Sequence, residues 1–280
     1  MDAARIAELL APFLRGPSEH STNVCHPGLP QAPGASLERS RKPALSLSRQ
    51  DAAALPPVQL RHISTYIDIL LRWNARINLT AVRDPEEIVT RHFGESLFAA
   101  RHLFPDGKAS GRASLNRAVD PSGRAALQGR VGSEEEKRAL APEAIRVADV
   151  GSGAGFPGLP LKIWAPNISL TLIESNHKKV AFLREVCRAL TLTNVNIQNA
   201  RAETLAGSAF DVVTLRAVER FESILPTAAS LLAPAACLAL LVGSTQQDQA
   251  GTTLPQFVWS TPIPIPNSRS RILLLGHNKD

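Results

Sequence analysis

The stretch from residue 145 to residue 158 constrains this chain more than any other. It reads Ile-Arg-Val-Ala-Asp-Val-Gly-Ser-Gly-Ala-Gly-Phe-Pro-Gly. An apolar run with Ile145, Val147 and Val150 is followed at once by Gly151, Gly153, Gly155 and Gly158. Such a run, stopping in a glycine cluster, predicts a buried parallel strand, a tight turn and the start of a helix. Glycine suits a turn where the backbone bends sharply and a ligand comes close to it. Asp149 sits at the strand's end, and the next apolar run, residues 169–173, ends on Glu174. An acid about 20 residues beyond such a loop is placed to hold a ribose diol.

Residues 153–158 satisfy the dinucleotide pattern G-x-G-x-x-G, which taken alone is a weak signal. Asp149 separates the candidate ligands. A dinucleotide brings a pyrophosphate to this turn, and a carboxylate beside it repels that charge. S-adenosylmethionine has no phosphate; it carries an ammonium and a sulfonium, which a carboxylate attracts. The residues therefore favour S-adenosylmethionine over NAD. A plain connecting turn is the bland alternative, and two acids at the ends of successive strands speak against it.

The chain has 280 residues, 44% of them hydrophobic, enough for one domain with additions or two small ones. Its net charge of +6 permits a polyanionic partner such as RNA without requiring one. Cys25, Cys187 and Cys237 are too widely spaced for a disulfide framework or a zinc site, so no metal is expected. The longest strongly apolar run, residues 235–242, is too short to span a membrane, and the N-terminus lacks a secretion-signal layout. A cytoplasmic, monomeric enzyme is the expectation.

Residues 1–57 are expected to be an extension, largely a disordered linker over 16–50, where prolines mix with Gly, Ser and Arg. Its first 15 residues have the spacing of a short amphipathic helix, with Ile6, Leu9, Leu10, Phe13 and Leu14 on one side. Residues 58–104 form a helical segment. Leu60, Ile63, Ile67, Leu70 and Leu71 recur at helical spacing, and a second helix starts at Asp84-Pro-Glu-Glu87, with Asp84 as N-cap, Pro85 at the first position and Glu87 completing a capping box. In that helix His92 lies on the apolar side and reads as a hydrogen-bonded core residue. Arg91 either pairs with Glu95 at i,i+4 or faces phosphate. Residues 105–144 read as an irregular insertion with a short helix over 133–140.

Residues 145–280 alternate strands and helices. Strands are expected over 169–174, 194–198, 210–216 and 235–242, with a final strand pair over 256–265 and 269–275. An amphipathic helix is expected over 176–190 and another over 222–232. This order predicts an α/β fold, a mostly parallel Rossmann-like sheet with helices on both faces, preceded by the helical segment. Asp149, Glu174, Ala202, Glu203 and Arg216 then all fall on the edge where the strands' C-terminal ends line one crevice.

These residues carry a resemblance. Arg72-Trp-Asn-Ala-Arg-Ile-Asn-Leu-Thr-Ala-Val-Arg-Asp-Pro-Glu86, with Arg91-His92 and Glu95-Ser96, is similar to the N-terminal signature of the bacterial 16S ribosomal RNA guanine-N7 methyltransferase family, also called glucose-inhibited division protein B. Residues 149–160, Arg201-Ala-Glu203 and Leu215-Arg-Ala217 resemble that family's successive cofactor loops. The resemblance covers residues 58–104 and 145 to about 243; the 16–50 tail and the 105–144 insertion depart from it. It implies the class I methyltransferase fold, methylation at N7 of a guanine in 16S rRNA or the small ribosomal subunit, and contact of Gly151, Phe156, Glu174, Ala202, Glu203 and Arg216 with S-adenosylmethionine. Asp149, Gly153, Ser175 and Asn176 complete the expected cofactor set. Arg216 is open to three roles: cofactor carboxylate, rRNA phosphate or a structural ion pair. Arg72, Arg76, Arg83, Arg91 and Arg220 are the candidates for phosphate contacts. No catalytic base is expected, since guanine N7 has a free lone pair and no proton to lose. The rivals are an NAD-linked oxidoreductase, a non-catalytic rRNA-binding assembly factor and a small-molecule methyltransferase.

Overall fold

The computed structural model describes residues 1–15, 55–105, 107, 144–205, 207, 209–217 and 220–279. The expected linker over 16–50, Cys25 and the helix over 133–140 lie outside the described residues. In order the elements are α1 (Ala3–Leu14), α2 (Pro57–Asn74), α3 (Pro85–Glu87), a π-helical turn (Ile88–Gly94) and α4 (Glu95–Leu103). Then follow β1 (Arg146–Val150), α5 (Gly158–Trp164), β2 (Ser169–Ile173), α6 (His177–Ala189), β3 (Val195–Gln198) and a 3-10 turn (Ala202–Leu205). The chain continues through β4 (Phe210–Arg216), α7 (Phe221–Ser230), β5 (Leu232–Gly243) and α8 (Gln246–Thr253) to β6 (Phe257–Trp259), β7 (Ile263–Pro264) and β8 (Arg271–Asn278).

The strands form one sheet in the order β3-β2-β1-β4-β5-β8-β6, with β7 pairing β8 off this path. The first five are parallel, and β8 runs antiparallel to both β5 and β6. Both faces of the central strands are covered, so β1, β4 and β5 are buried over most of their length, whereas the outer strand β3 has no buried residue. Val147, Val212, Leu241 and Leu273 belong to one cluster, with α1, α2, α4, α5 and α6. Their neighbours Ala148, Val213, Leu240 and Leu274 belong to a second cluster, with α7 and α8. The strand order reverses between β1 and β4, so the crevice at their C-terminal ends is the site this topology offers a ligand.

Some strands differ in detail from expectation. β5 begins three residues earlier than the apolar run, across a register shift opposite Phe210 and Val212. The final pair is three strands, two short ones and the eight-residue β8, and the polar sequence of α8 gives no apolar periodicity to announce it.

The N-terminal helix does form, and it is packed. Ile6, Leu10, Phe13 and Leu14 are buried against α2, the π turn and α4. Arg5 reaches Glu86 at 2.8 Å. The expected start at Asp84 is present, its side chain accepting from the Glu87 amide at 2.7 Å. The helix it opens is not uniform. Seven residues wind as a π turn, a distortion no apolar spacing announces. Gly94 closes this turn under the Phe13 ring, where a Cβ would come within 2.6 Å of a ring carbon. Gly94→Ala should therefore cost about 1–3 kcal/mol in urea unfolding. A double-mutant cycle with Phe13→Leu should show coupling of about 0.5 kcal/mol or more, if the ring is the clashing group.

Candidate cofactor and nucleic-acid site

The glycine loop between β1 and α5 is held from inside by Asp149. Its Oδ2 accepts from the Gly158 amide at 3.1 Å and its Oδ1 from the Thr214 hydroxyl at 2.9 Å. Only 1% of the residue is exposed, and burial pushes its carboxyl up to about 6 against those hydrogen bonds. The sequence reading puts Asp149 at the ligand; in the structure both of its oxygens are engaged inside the protein. The carboxylate is turned under the loop, and β4 supplies its second donor. A Cβ at Gly158 would lie 2.8 Å from the same oxygen, so the close approach requires glycine.

The opposite side of the loop is held by the helical segment. Phe156 stacks on Tyr66 with centroids 5.3 Å apart and planes 2° from parallel, and meets Phe93 edge-on at 5.1 Å. His92 stacks on its ring at 4.9 Å. The Tyr66 hydroxyl donates to the Ala154 carbonyl. Gly155, at φ +84°, lies against the same hydroxyl with no room for a Cβ. Phe156, expected at the cofactor, is the aromatic knot joining loop to helices. Such ring pairs are worth about 0.5–1.5 kcal/mol each beyond their buried area.

Glu174 is the acid on the loop's other flank. It is buried to 7% exposure, and its oxygens accept from the amides of Gly153 at 2.9 Å and Asn176 at 2.8 Å. A carboxylate has about four acceptor positions, so two bonds leave it able to accept more. Asn199 fixes this end of β2, its side-chain amide donating to the carbonyls of Glu174 and Ser175. Asn176 spends its side chain capping α6, accepting from Lys178 and Lys179. Ser175 and Glu203 are exposed, and Ala202 is buried in the 3-10 turn beside the second core cluster.

Of the three roles, the structure shows Arg216 in an ion pair. Its guanidinium donates to Glu95 at 2.9 Å, to the Arg91 carbonyl at 2.9 Å and to His92 Nδ1 at 3.1 Å. Arginine only donates, so Nδ1 is the acceptor and Nε2 carries the proton toward Thr80 Oγ1, 2.7 Å away. Burial, then Arg216, Arg91 and Arg271, press the His92 pKa down to about 3, so the ring stays neutral. The reading of His92 as a hydrogen-bonded core residue holds, while the Arg91–Glu95 pair is corrected. Arg91 bonds Glu87 at 2.9 Å, and Glu95 is taken by Arg216 and Arg271.

Of the other phosphate candidates, Arg72 lies 3.4 Å from Glu185 and stays 69% exposed. Arg76, Arg83 and Arg220 are exposed, and Arg220 precedes α7 with φ +55°. Sequence reasoning passed over Tyr66, Thr214, Asn199 and Arg271, and gave Glu95 to Arg91 rather than to Arg216. Two had a signal: Tyr66 is the chain's only tyrosine on an apolar helix face, and Thr214 is a hydroxyl inside an apolar strand, and each buried hydroxyl needs a partner.

The sequence has known relatives. The family model described as rRNA small subunit methyltransferase G matches residues 59–109 and 135–260. A ribosomal RNA small subunit methyltransferase G of Halorhodospira halophila is 36% identical over 190 residues, 68% of this chain and 72% of that protein. One from Stenotrophomonas maltophilia is 34% identical over 245 residues, 86% of this chain and 92% of that protein. Among solved structures, a ribosomal protein L11 methylase from Lactobacillus delbrueckii subsp. bulgaricus is 16% identical and covers 51% of this chain and 74% of its own, at a TM-score of 0.44. Among the described residues no helix is long and apolar enough to cross a membrane. By its sequence over most of its length, the chain belongs to the rRNA small subunit methyltransferase G family.

Proposed function

We propose that the crevice between β1 and β4 binds S-adenosylmethionine and methylates N7 of a guanine in 16S rRNA. One observation carries the choice of ligand. All four glycine amides of the loop already have acceptors within the protein: Ile173 O for Gly151, Glu174 for Gly153, Ser152 O for Gly155 and Asp149 for Gly158. A phosphate bound at such a turn needs free N–H donors. Two of these four acceptors are carboxylates, whose charge further repels a phosphate. A cofactor without phosphate suffers neither penalty. The space fits as well: Gly151 is exposed, and a Cβ at Gly153 would meet only the Gly151 carbonyl, 3.7 Å away. The loop is crowded beneath and open above, on the side of Glu174.

S-adenosylmethionine, when bound, supplies a methyl group activated by a positive sulfur. Glu174 accepts from ribose hydroxyls with its remaining lone pairs, and Glu203 with the backbone of the 3-10 turn frames the base. Asp149 and Phe156 act through the loop, which they hold in shape. Guanine N7 carries an in-plane lone pair, so no side chain need remove a proton, and the protein's contribution is to hold the two reacting centres in line. Arg76, Arg83 and Arg220 are exposed cations for the rRNA backbone, which phosphate contacts orient without reading its sequence.

Small subunits from a strain lacking this protein, incubated with it and labelled S-adenosylmethionine, should take up label. Borohydride and aniline should then cut the 16S rRNA at one N7-methylguanine; absence of both label and cut would remove the reading. Glu174→Ala should weaken binding of S-adenosylmethionine at least roughly tenfold by calorimetry, the scale of a hydrogen bond to a charged group.

Asp149→Asn separates a loop-holding acid from a ligand-contacting one. The folded-state pKa of about 6 lies above the ordinary value near 3.9, so between these the folded chain binds more protons than the unfolded one. Asp149 therefore lowers stability as pH rises from about 4 to about 6, and above that imposes a constant cost on the order of 2–3 kcal/mol. The asparagine variant should lose this slope and melt higher than the parent at pH 8, with cofactor affinity within about tenfold of the parent. A much larger loss of affinity in a folded variant would return Asp149 to the ligand.

A further inference from the structure

At the C-terminal edge of the sheet the charges do not balance. Glu95 is 4% exposed in its side chain and is met by two guanidiniums, Arg216 at 2.9 Å and Arg271 at 2.5 Å. Both bind the same oxygen, Oε2. Arg91 is balanced in the count by its own partner Glu87, and His92 is uncharged. Two cations against one anion leave one positive charge, fixed beside the crevice. The two arginines differ in what they have left to offer. Arg216 is 7% exposed and is bound by three groups of the helical segment. Arg271 is 27% exposed, and among the described residues its side chain has a single partner, Glu95. Its remaining N–H donors have no partner among the described residues.

Topology puts Arg271 at the right place. β8 is antiparallel to β5, so its first residue lies at the edge where the parallel strands end; Arg271 pairs with Gly243, and Arg216 on β4 with Leu241. A guanidinium anchored through one nitrogen, with charge in excess and free donors in a fixed fork, suits a tetrahedral oxyanion.

We infer that Arg271, braced by Glu95 against Arg216, is a phosphate-binding residue for the RNA backbone next to the target base. This rests on the reading of the crevice as an rRNA methyltransferase site. Glu95 is the positioning residue: it holds the guanidinium in place without cancelling the charge of the pair. The helical segment thus contributes the brace, the sheet contributes the cation, and docking the two assembles the anion site.

The test compares the parent with Arg271→Gln and Arg271→Lys. Binding of small subunits from a strain lacking the enzyme is measured over a range of salt, alongside calorimetry with S-adenosylhomocysteine. Each phosphate contact contributes about 0.7 to 0.9 to the slope of log affinity against log salt. The glutamine variant should lose about that much slope, and the lysine variant, which keeps the charge, should retain it. Affinity for S-adenosylhomocysteine should be unchanged in both. A glutamine variant with the parent's slope overturns the inference. So does a loss of S-adenosylhomocysteine affinity at constant slope, which would give Arg271 to the cofactor's carboxylate. Should the glutamine variant not fold, phenylglyoxal modification of the parent is mapped by peptide; bound subunits should protect Arg271, and equal labelling with and without them overturns the inference. Methyl transfer by the parent is scored separately, so failure of the enzymatic reading is distinguishable from failure of the phosphate contact.

Discussion

The structure depends on a short loop held rigid from two sides. Eight residues, 151–158, carry the chain from β1 into α5, and their backbone has little intrinsic preference for any one shape, given four glycines. Rigidity therefore comes from outside the loop. Asp149 grips it from below through Gly158, and Thr214 on the neighbouring strand holds Asp149 in turn. Tyr66 and Phe93 grip it from the flank through Phe156 and the Ala154 carbonyl. The helices before the sheet are thus a wall of the site. Removing them would expose Phe156 and strip the Arg216 guanidinium of all three groups it bonds.

Three buried carboxylates show how one chemical group serves three ends. Asp149 has only neutral donors, a backbone amide and a hydroxyl, so desolvation wins and its carboxyl rises to about 6. Glu95 has two guanidiniums and no need of solvent. Glu174 has two backbone amides and acceptor capacity left over. Burial alone ranks them together, at 1%, 3% and 7% exposure. Partners separate them into a loop holder, an ionic brace and an acid still able to receive a ligand.

Much of this was legible in the chain. The glycine loop, the acids ending β1 and β2 and the Asp84 start signal are local features, encoded by residues adjacent in sequence. What the sequence hid is long-range. Arg91 and Glu95 have ideal helical spacing for a pair, but the π turn shifts the register and Arg216, 121 residues away, claims the carboxylate. Phe156 next to a cofactor loop reads as a ligand contact until Tyr66 is found stacked on it. The charge of Asp149 was visible, but its direction was not, because that is set by Thr214 from β4. In each case the residue was found, and its partner decided its role.

The same distinction bears on the glycine pattern itself. G-x-G-x-x-G states that a backbone can turn tightly and be approached closely; it does not state whether the amides so presented are free. In a dinucleotide site they must be, because the pyrophosphate is bound by N–H groups. Here Asp149 and Glu174 lie nine and 21 residues from the amides they occupy, one on each side of the loop. A carboxylate accepting from a loop amide satisfies that donor and leaves a negative charge beside it. On the proposed reading, the acids disfavour a phosphate ligand twice over, by occupancy of the amides and by charge.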